Sequence, residues 1–437
     1  MAIERRLGTE DNPDIVDQSK QIDIPQDEPS IEEQIAEALE VEITDDGVFV
    51  GQIEEESVTE VPFDANIAEY LDDSVLGSIS NKLVSAVEND KESRKEWEKT
   101  YTDGLKYLGM RFDEQRSQPF EGSSGVIHPI LAEAVTQFQA QAYKELLPAQ
   151  GPVKTQVVGQ RSAEVEMQSE RVAEFMNYYI MNEMPEYDPE LDQLLFYLPL
   201  SGSAFKKVYY DEALQRPVSK FVPAEDLLVP YEATDLISAE RVTHIVSMSA
   251  NEVRKLQLSG FYRDIDLYGD EVHIRDDVTE EIDSIQGVEP DYSDDDDRKI
   301  YEIHTIAEIE GYEDVDAMGQ QTGLKLPYII TIDSASRKIL SIRRNYDPQD
   351  PVRNKINYFI QYKFLPGLGF YGLGLSHMIG GLSKASTSIL RQLIDAGTLS
   401  NLPAGFKTRG IRIRDEASPL QPGEFRDVDA PGGALRD

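Results

Sequence analysis

The sequence predicts an α+β fold in which helices come first, mostly antiparallel strands follow, and one long helix comes near the end. Three observations carry this. Apolar residues recur at three- and four-residue steps from Asn66 to about Met110, through Leu71, Val75, Leu76, Ile79, Leu83 and Val87. Segments rich in β-branched and aromatic residues fill the middle of the chain: "KIYEIHTIAEIE", "LPYIITID", "ILSIRRN" and "INYFIQYKF". Then Leu375, Ile379, Leu382, Ser386, Ile389 and Leu393 step by four, three, four, three, four, which draws one stripe along a helix.

Size and composition bound the rest. The chain has 437 residues and 40% hydrophobic residues, enough for a sizeable core and two to four domains. It has no cysteine, which excludes disulfides, thiolate metal sites and cysteine nucleophiles. The start "MAIERRLGTEDNPD" has no apolar core of a secretory signal, and no apolar run reaches the roughly 18 residues a membrane span needs. Net charge is −40. A chain this acidic does not grip DNA phosphates over its whole surface, although it can surround DNA and let it slide.

Along the chain, residues 1–64 read as an acidic flexible arm; 1–60 hold 19 acids and 3 bases, a net of −16. A short helix is expected at "IEEQIAEALE" (Ile31–Glu40). The only tryptophan, Trp97, falls in the second half of the first helical region. His128 followed by Pro129 marks a helix start, with Leu131, Val135, Phe138, Ala142 and Leu146 inward. "PVKTQVVG" reads as a strand, Arg161–Glu183 and "YDPELDQLLFYLPLSGS" as helices. "AFKKVYYDEALQRPVSKFVPAEDLLVP" reads as two strands and a turn, followed by the strand "ERVTHIVSMS". Ser249 and Glu252 have the spacing of a capping box. Residues 270–298 read as an acidic loop.

Gly367, Gly369 and Gly372 spell G-x-G-x-x-G, the dinucleotide fingerprint. The context is wrong for it. The preceding strand mixes polar and apolar residues (Asn357, Phe359, Gln361, Lys363), which suits an antiparallel sheet, and Pro366 separates strand from glycines. Bulky Phe370 and Tyr371 fill the inner positions, and Asp395, the acid at about the right distance, lies inside a helical pattern. "GGLSKAS" fails as an ATPase phosphate loop because Ser383 stands where glycine is required. A nucleotide-binding enzyme built around Gly367–Gly372 is therefore the alternative, not the leading reading. The mechanical reading makes Gly367, Gly369, Gly372 and Gly374 a compliant hinge into the helix; an ordinary tight loop into a core helix is its plain counterpart.

Other constellations say little. "DYSDDDDRKIYE" (Asp291–Glu302) has calcium-loop spacing, but Asp296 stands at the glycine position, so a solvated acidic loop is expected. His128, His244, His273, His304 and His377 are scattered with no partner at ligand spacing. No metal site, cofactor or catalytic residue is expected, and no nucleophile elbow is present. "FKTRGIRIR" carries Lys407, Arg409, Arg412 and Arg414 without an acid. It suits contact with DNA or a partner, or equally solvated strand edges.

"LPGLGFYGLGLSHMIGGLSKASTSILRQLIDAGTLSNLPAGFKTRGIRI" resembles the segment of tailed-bacteriophage portal proteins, podovirus-type, where the wing passes into the stem and then the clip. "HPILAEAVTQFQAQAYKELLP" and "VKTQVVG" resemble wing elements of the same family. The resemblance covers about Ala65–Asp437 and implies a portal-like fold: an α/β wing at 65–366, a wing–stem hinge at 367–374, a stem helix at 375–400 and the start of a small β-containing clip at 401–437. It implies a ring, usually of twelve copies, at the capsid vertex of the virion. Double-stranded DNA passes through it during packaging and ejection. A terminase motor docks first, then head-completion or tail adaptor proteins; no enzymatic activity and no membrane are implied. Leu375, Ile379, Leu382, Ile389 and Leu393 would pack the stems together, and Lys384, Ser388 and Arg391 would face the channel. Such portals continue with a second stem helix, a tunnel loop and a crown, so the chain, ending at "APGGALRD", is expected to be truncated before them.

Overall fold

The computed structural model describes residues 39–44, 47–52, 61–110, 120–212, 214–267, 276–288, 297–315, 320–401, 405–408 and 425–428. Two units separate, Met1–Val61 and Pro62–Asp437. The first holds an antiparallel pair, β1 (Leu39–Thr44) and β2 (Gly47–Gln52), within the arm that the sequence left without regular strands. In the ladder Val41 pairs with Val50 and Ile43 with Val48. Residues 31–38 of the expected short helix lie outside the described residues, and Leu39 and Glu40 belong to β1.

The second unit is mixed helix and sheet. Its helices are α1 (Asp73–Ser93), α2 (Lys95–Lys106), α3 (Ile130–Leu146), α4 (Ala163–Tyr178) and α5 (Tyr187–Ser201). Strands follow: β3 (Ser203–Asp211), β4 (Arg216–Val222), β5 (Leu227–Leu228) and β6 (Arg241–Met248). Next come α6 (Ala250–Leu258), α7 (Asp277–Gln286), β7 (Arg298–Ala307), β8 (Leu326–Asp333), β9 (Ile339–Arg344) and β10 (Phe359–Lys363). The 27-residue α8 (Leu375–Asn401) closes the series, with short strands β11 (Gly405–Thr408) and β12 (Phe425–Val428) after it. One sheet runs β5-β6-β7-β8-β9 and another β10-β3-β4, both antiparallel throughout.

α1 explains the first core. Leu76, Leu83, Val84 and Val87 share its inner face and cover Ile303, Ile330, Ile332, Ile339 and Ile342. Leu340, adjacent to Ile339, points to the other face, where α6 supplies Val253 and Tyr262 follows. Both faces of β8 are therefore covered, which is why its apolar run is nearly continuous. Asn66 fastens the start of the unit: its Nδ2 donates to Leu340 O at 3.1 Å, and its Oδ1 accepts from Ile342 N at 2.9 Å. The two sheets are tied by charge. Lys207 on β3 donates to both carboxylate oxygens of Glu302 on β7, at 2.7 and 2.6 Å, and His304 Nε2 lies 2.7 Å from Glu302. Burial pushes Glu302 upward, but the His304 hydrogen bond and the Lys207 charge outweigh it and hold its carboxyl well below the usual range. His244 is Glu302's ladder partner, so the topology joins two of the scattered histidines. Among the described residues no metal-binding group of three or more forms.

Some sequence expectations fail for local reasons. "PVKTQVVG" joins no sheet; Asn177 takes its backbone instead, with Oδ1 accepting from Val153 N (2.8 Å) and Nδ2 donating to Val153 O (3.0 Å). Within 270–298 lies the helix α7, because Val278, Ile282 and Ile285 give it an inner face against Tyr101 and Leu105, and Gly287 ends it in the left-handed region. Leu146 ends α3 exposed rather than inward. The first helical region breaks in two at Arg94. Of the calcium-like loop, residues 291–296 lie outside the described residues, and Arg298–Glu302 are part of β7. The Ser249–Glu252 capping box forms with both of its hydrogen bonds.

Arg94, at that break, is buried and binds a turn. Its Nη1 donates to Ala224 O (2.7 Å), Leu227 O (2.9 Å) and the Tyr371 hydroxyl (3.2 Å), and its Nη2 pairs with Glu98 at 2.8 Å. Glu225 sits in the same turn. Burial, and then the neighbouring Asp226 charge, push its carboxyl up to about 7. The folded chain therefore holds a proton that the unfolded chain releases near the ordinary value of 4.5. Stability from this group is full at low pH and is lost as pH rises from about 4.5 through about 7. Asp226, raised to about 6 by burial, adds a slope of the same sign. Glu225→Gln is expected to flatten much of this decline: its urea midpoint should gain on the wild type between pH 5 and pH 8. Parallel midpoint-versus-pH curves would contradict the assignment.

Candidate functional site

The region the sequence singles out, Gly367 to Asn401, begins where β10 leaves the three-stranded sheet. β10 pairs antiparallel with β3, and Leu365 and Leu373 then bridge across the glycine run. Three backbone amides at the end of the run are engaged internally. Leu373 N donates to Leu365 O (2.9 Å), Gly372 N to Ser203 Oγ (2.7 Å) and Gly374 N to His377 Nδ1 (3.2 Å). A phosphate cradle needs such amides aimed at a ligand, after a parallel strand. Neither condition is met.

The glycines serve packing rather than compliance, which corrects the hinge expectation at three of the four. None of Gly367, Gly369, Gly372 and Gly374 has the left-handed backbone that favours glycine. A Cβ on Gly372 would lie 2.3 Å from Gly202 O, and one on Gly374 would lie 2.4 Å from Leu200 O. A Cβ on Gly367 would lie 2.5 Å from Tyr371 O, while Gly369 faces open space. Gly202 itself, at φ +86°, ends α5, and a Cβ there would lie 2.3 Å from Gly374 N and 2.5 Å from Leu373 C. Two backbones are thus pressed together where α5 ends and α8 begins. Trp97 closes the joint: its ring stacks on Tyr371 at 4.7 Å and on Tyr101 at 5.9 Å, with His377 at 6.3 Å.

α8 then lies along its own chain by a face the sequence did not favour. Leu375 and Ile379 pack against Tyr101, Leu105, Leu131 and Leu200, as the apolar stripe requires. Beyond them the contact is polar. Ser376 nests on Gly104, where a Cβ would lie 2.3 Å from its Oγ. Ser383 Oγ reaches Tyr107 O at 3.4 Å, and Thr387 Oγ1 accepts from His128 N at 3.1 Å. Arg391 donates through Nε to Val126 O (2.7 Å) and through Nη2 to Gly125 O (2.8 Å), and Asp395 accepts from Ser124 N at 2.7 Å. The extended segment 124–128 thus finds partners for its backbone groups in side chains one helical turn apart.

This arrangement corrects one expectation. Arg391 was placed with Lys384 and Ser388 toward a channel; its guanidinium instead straps the segment 124–128, while Lys384 and Ser388 are exposed. Leu382, Ile389 and Leu393, expected to pack stem against stem, are 58%, 66% and 70% exposed in the single chain, so this part of the apolar stripe faces away from the chain's own body. Ser376, Ser383, Thr387 and Asp395 form a seam that the apolar periodicity does not mark. The signal was present, since Ser376, Ser383, Thr387, Arg391 and Asp395 step by seven, four, four, four. Periodicity marks faces without saying which one turns inward. Of the basic patch, Lys407 lies in β11, of which only the backbone is described, and Arg409, Arg412 and Arg414 lie outside the described residues.

No protein-family model matches the chain, and no curated protein matches it. Among the described residues no helix is long and apolar enough to cross a membrane.

The backbone joint is open to a graded test. Gly372→Ala and Gly374→Ala are each expected to lower stability by about 1–3 kcal/mol or more, as overpacking does, whereas Gly369→Ala should stay within about 0.5 kcal/mol of wild type. Urea denaturation of the three variants measures this; equal, small effects at all three positions would make the glycines a loose linker after all.

Proposed function

We propose that this chain is a non-enzymatic structural subunit of a ring, a portal at a capsid vertex of a tailed double-stranded DNA phage. In this reading residues 65–366 form the wing, α8 is the stem and the segment from 401 enters the clip. The ring conducts DNA during packaging and ejection, sequence-blind, and docks a terminase motor and later head-completion or tail adaptor proteins. It needs no cofactor. The observation that carries this reading is the outward stripe of Leu382, Ile389 and Leu393 on a helix roughly 40 Å long.

Such a stripe has a use when identical helices stand side by side. Burying each of these side chains is worth about 1.5–3 kcal/mol, and a closed ring supplies every copy with a neighbour. The seam holding α8 to its own wing fixes the angle at which the stripe is presented. Exposed Lys384 and Ser388 lie on another side of the helix from the stripe and suit transient phosphate contacts in an otherwise acidic particle. The competing nucleotide-enzyme reading receives no support from the glycine run, which follows an antiparallel strand and whose Gly372, Leu373 and Gly374 amides are bonded within the chain.

Light scattering on a size-exclusion column, with negative-stain images, tests this. The wild-type chain is expected to form closed rings of one stoichiometry. The combined variant Leu382→Asn, Ile389→Asn, Leu393→Asn should elute as a folded monomer with an unchanged helical signal. A wild-type chain that stays monomeric at tens of micromolar and binds nucleotide would overturn the proposal.

A further inference from the structure

We propose that α4 is a docking surface for a basic amphipathic helix of another protein. None of its 16 residues is buried. Met167 and Phe175 are each 64% exposed, Val172 45% and Met176 42%. Isolated helices of about this length are marginal in water, so a helix with no core face is an unusual thing for a fold to keep.

The chain nevertheless holds α4 in a set position, and by polar means. Ser162 caps its start by accepting from Val165 N. Asn177 clasps Val153 through both its amide groups, and Thr155 Oγ1 donates to Ser169 O at 2.9 Å. Gly151, at φ +94°, lets the chain pass Asn177 where a Cβ would lie 2.4 Å from it. A π-helical turn, Tyr179–Glu183, follows directly; such turns are frequent at functional sites. The clasp uses the Ser169–Ala173–Asn177 side and leaves the methionines and phenylalanine outside.

Chemistry selects the occupant. Methionine is flexible and polarizable and suits a surface that receives another helix. Glu164, Glu166, Glu170 and Glu174 are exposed on the same helix, against a single cation, Arg171. That fringe repels nucleic acid and anionic lipid. It also repels a second copy docked by this same face, which would bring glutamate against glutamate. A helix with an apolar stripe flanked by lysine or arginine matches both features. This inference is independent of the ring reading, because α8 takes no part in it.

The test is fluorescence anisotropy of a labelled synthetic Leu/Lys amphipathic helical peptide titrated with the full chain, and of a Leu/Glu peptide as control. The Leu/Lys peptide is expected to bind and the Leu/Glu peptide not to. Phe175→Ser with Met176→Ser, which leaves the charge unchanged, should weaken binding about tenfold or more. Glu170→Lys with Glu174→Lys should weaken it comparably. Equal binding by wild type and the Phe175/Met176 variant would show diffuse attraction to an acidic protein and overturn the proposal. So would loss of self-association in that variant, which would assign the face to a second copy.

Discussion

The contact of Gly202 with Gly372 and Gly374 constrains everything near the long helix. Three side-chain-free residues let the end of α5 and the start of α8 touch backbone to backbone. From that joint the direction of α8 is set. Ser376 can then reach the groove over Gly104, and Thr387, Arg391 and Asp395 come level with the segment 124–128. Arg94 and Trp97 bind the other side of the joint, one through carbonyls of the 224–227 turn and one by stacking on Tyr371. A side chain at Gly374 would disturb the helix and the turn together.

The polar seam has a physical logic. A 27-residue helix with a wide apolar face ordinarily buries it in its own domain. Here only the first turn does so, through Leu375 and Ile379. Farther along, directional hydrogen bonds to an extended segment fix the helix, and directional bonds specify an orientation more sharply than apolar contact does. The apolar residues remain available for a surface outside the chain. Buried charge is used similarly between the sheets, where Lys207, Glu302 and His304 join strands that share no ladder.

Much of this was legible in the residues. The order of helices and strands, the antiparallel character of β10, the Ser249–Glu252 box and the span of α8 follow from periodicity and local chemistry. Periodicity failed where two faces of one helix were equally regular: α8 has an apolar stripe and a small polar one, and their steps do not say which meets the body. Asn177's capture of Val153 was hidden because it depends on residues 24 apart in sequence. The glycine run misled differently. Glycine permits both bending and close approach, and only its neighbour in space, Gly202, decides between them. His244 and His304 looked scattered because β6 and β7 are brought together by pairing, not by spacing.

The outward stripe is the central claim, and its accessibility can be measured directly. The chain has no cysteine, so Ile389→Cys and, as control, Lys384→Cys each introduce one thiol. Maleimide labelling is followed at concentrations above and below those at which copies associate. The expected result is that the thiol at position 389 reacts freely in dilute protein and slowly in concentrated protein, while the one at 384 reacts at the same rate in both. A rate at 389 that ignores concentration would mean that no copy ever covers the stripe.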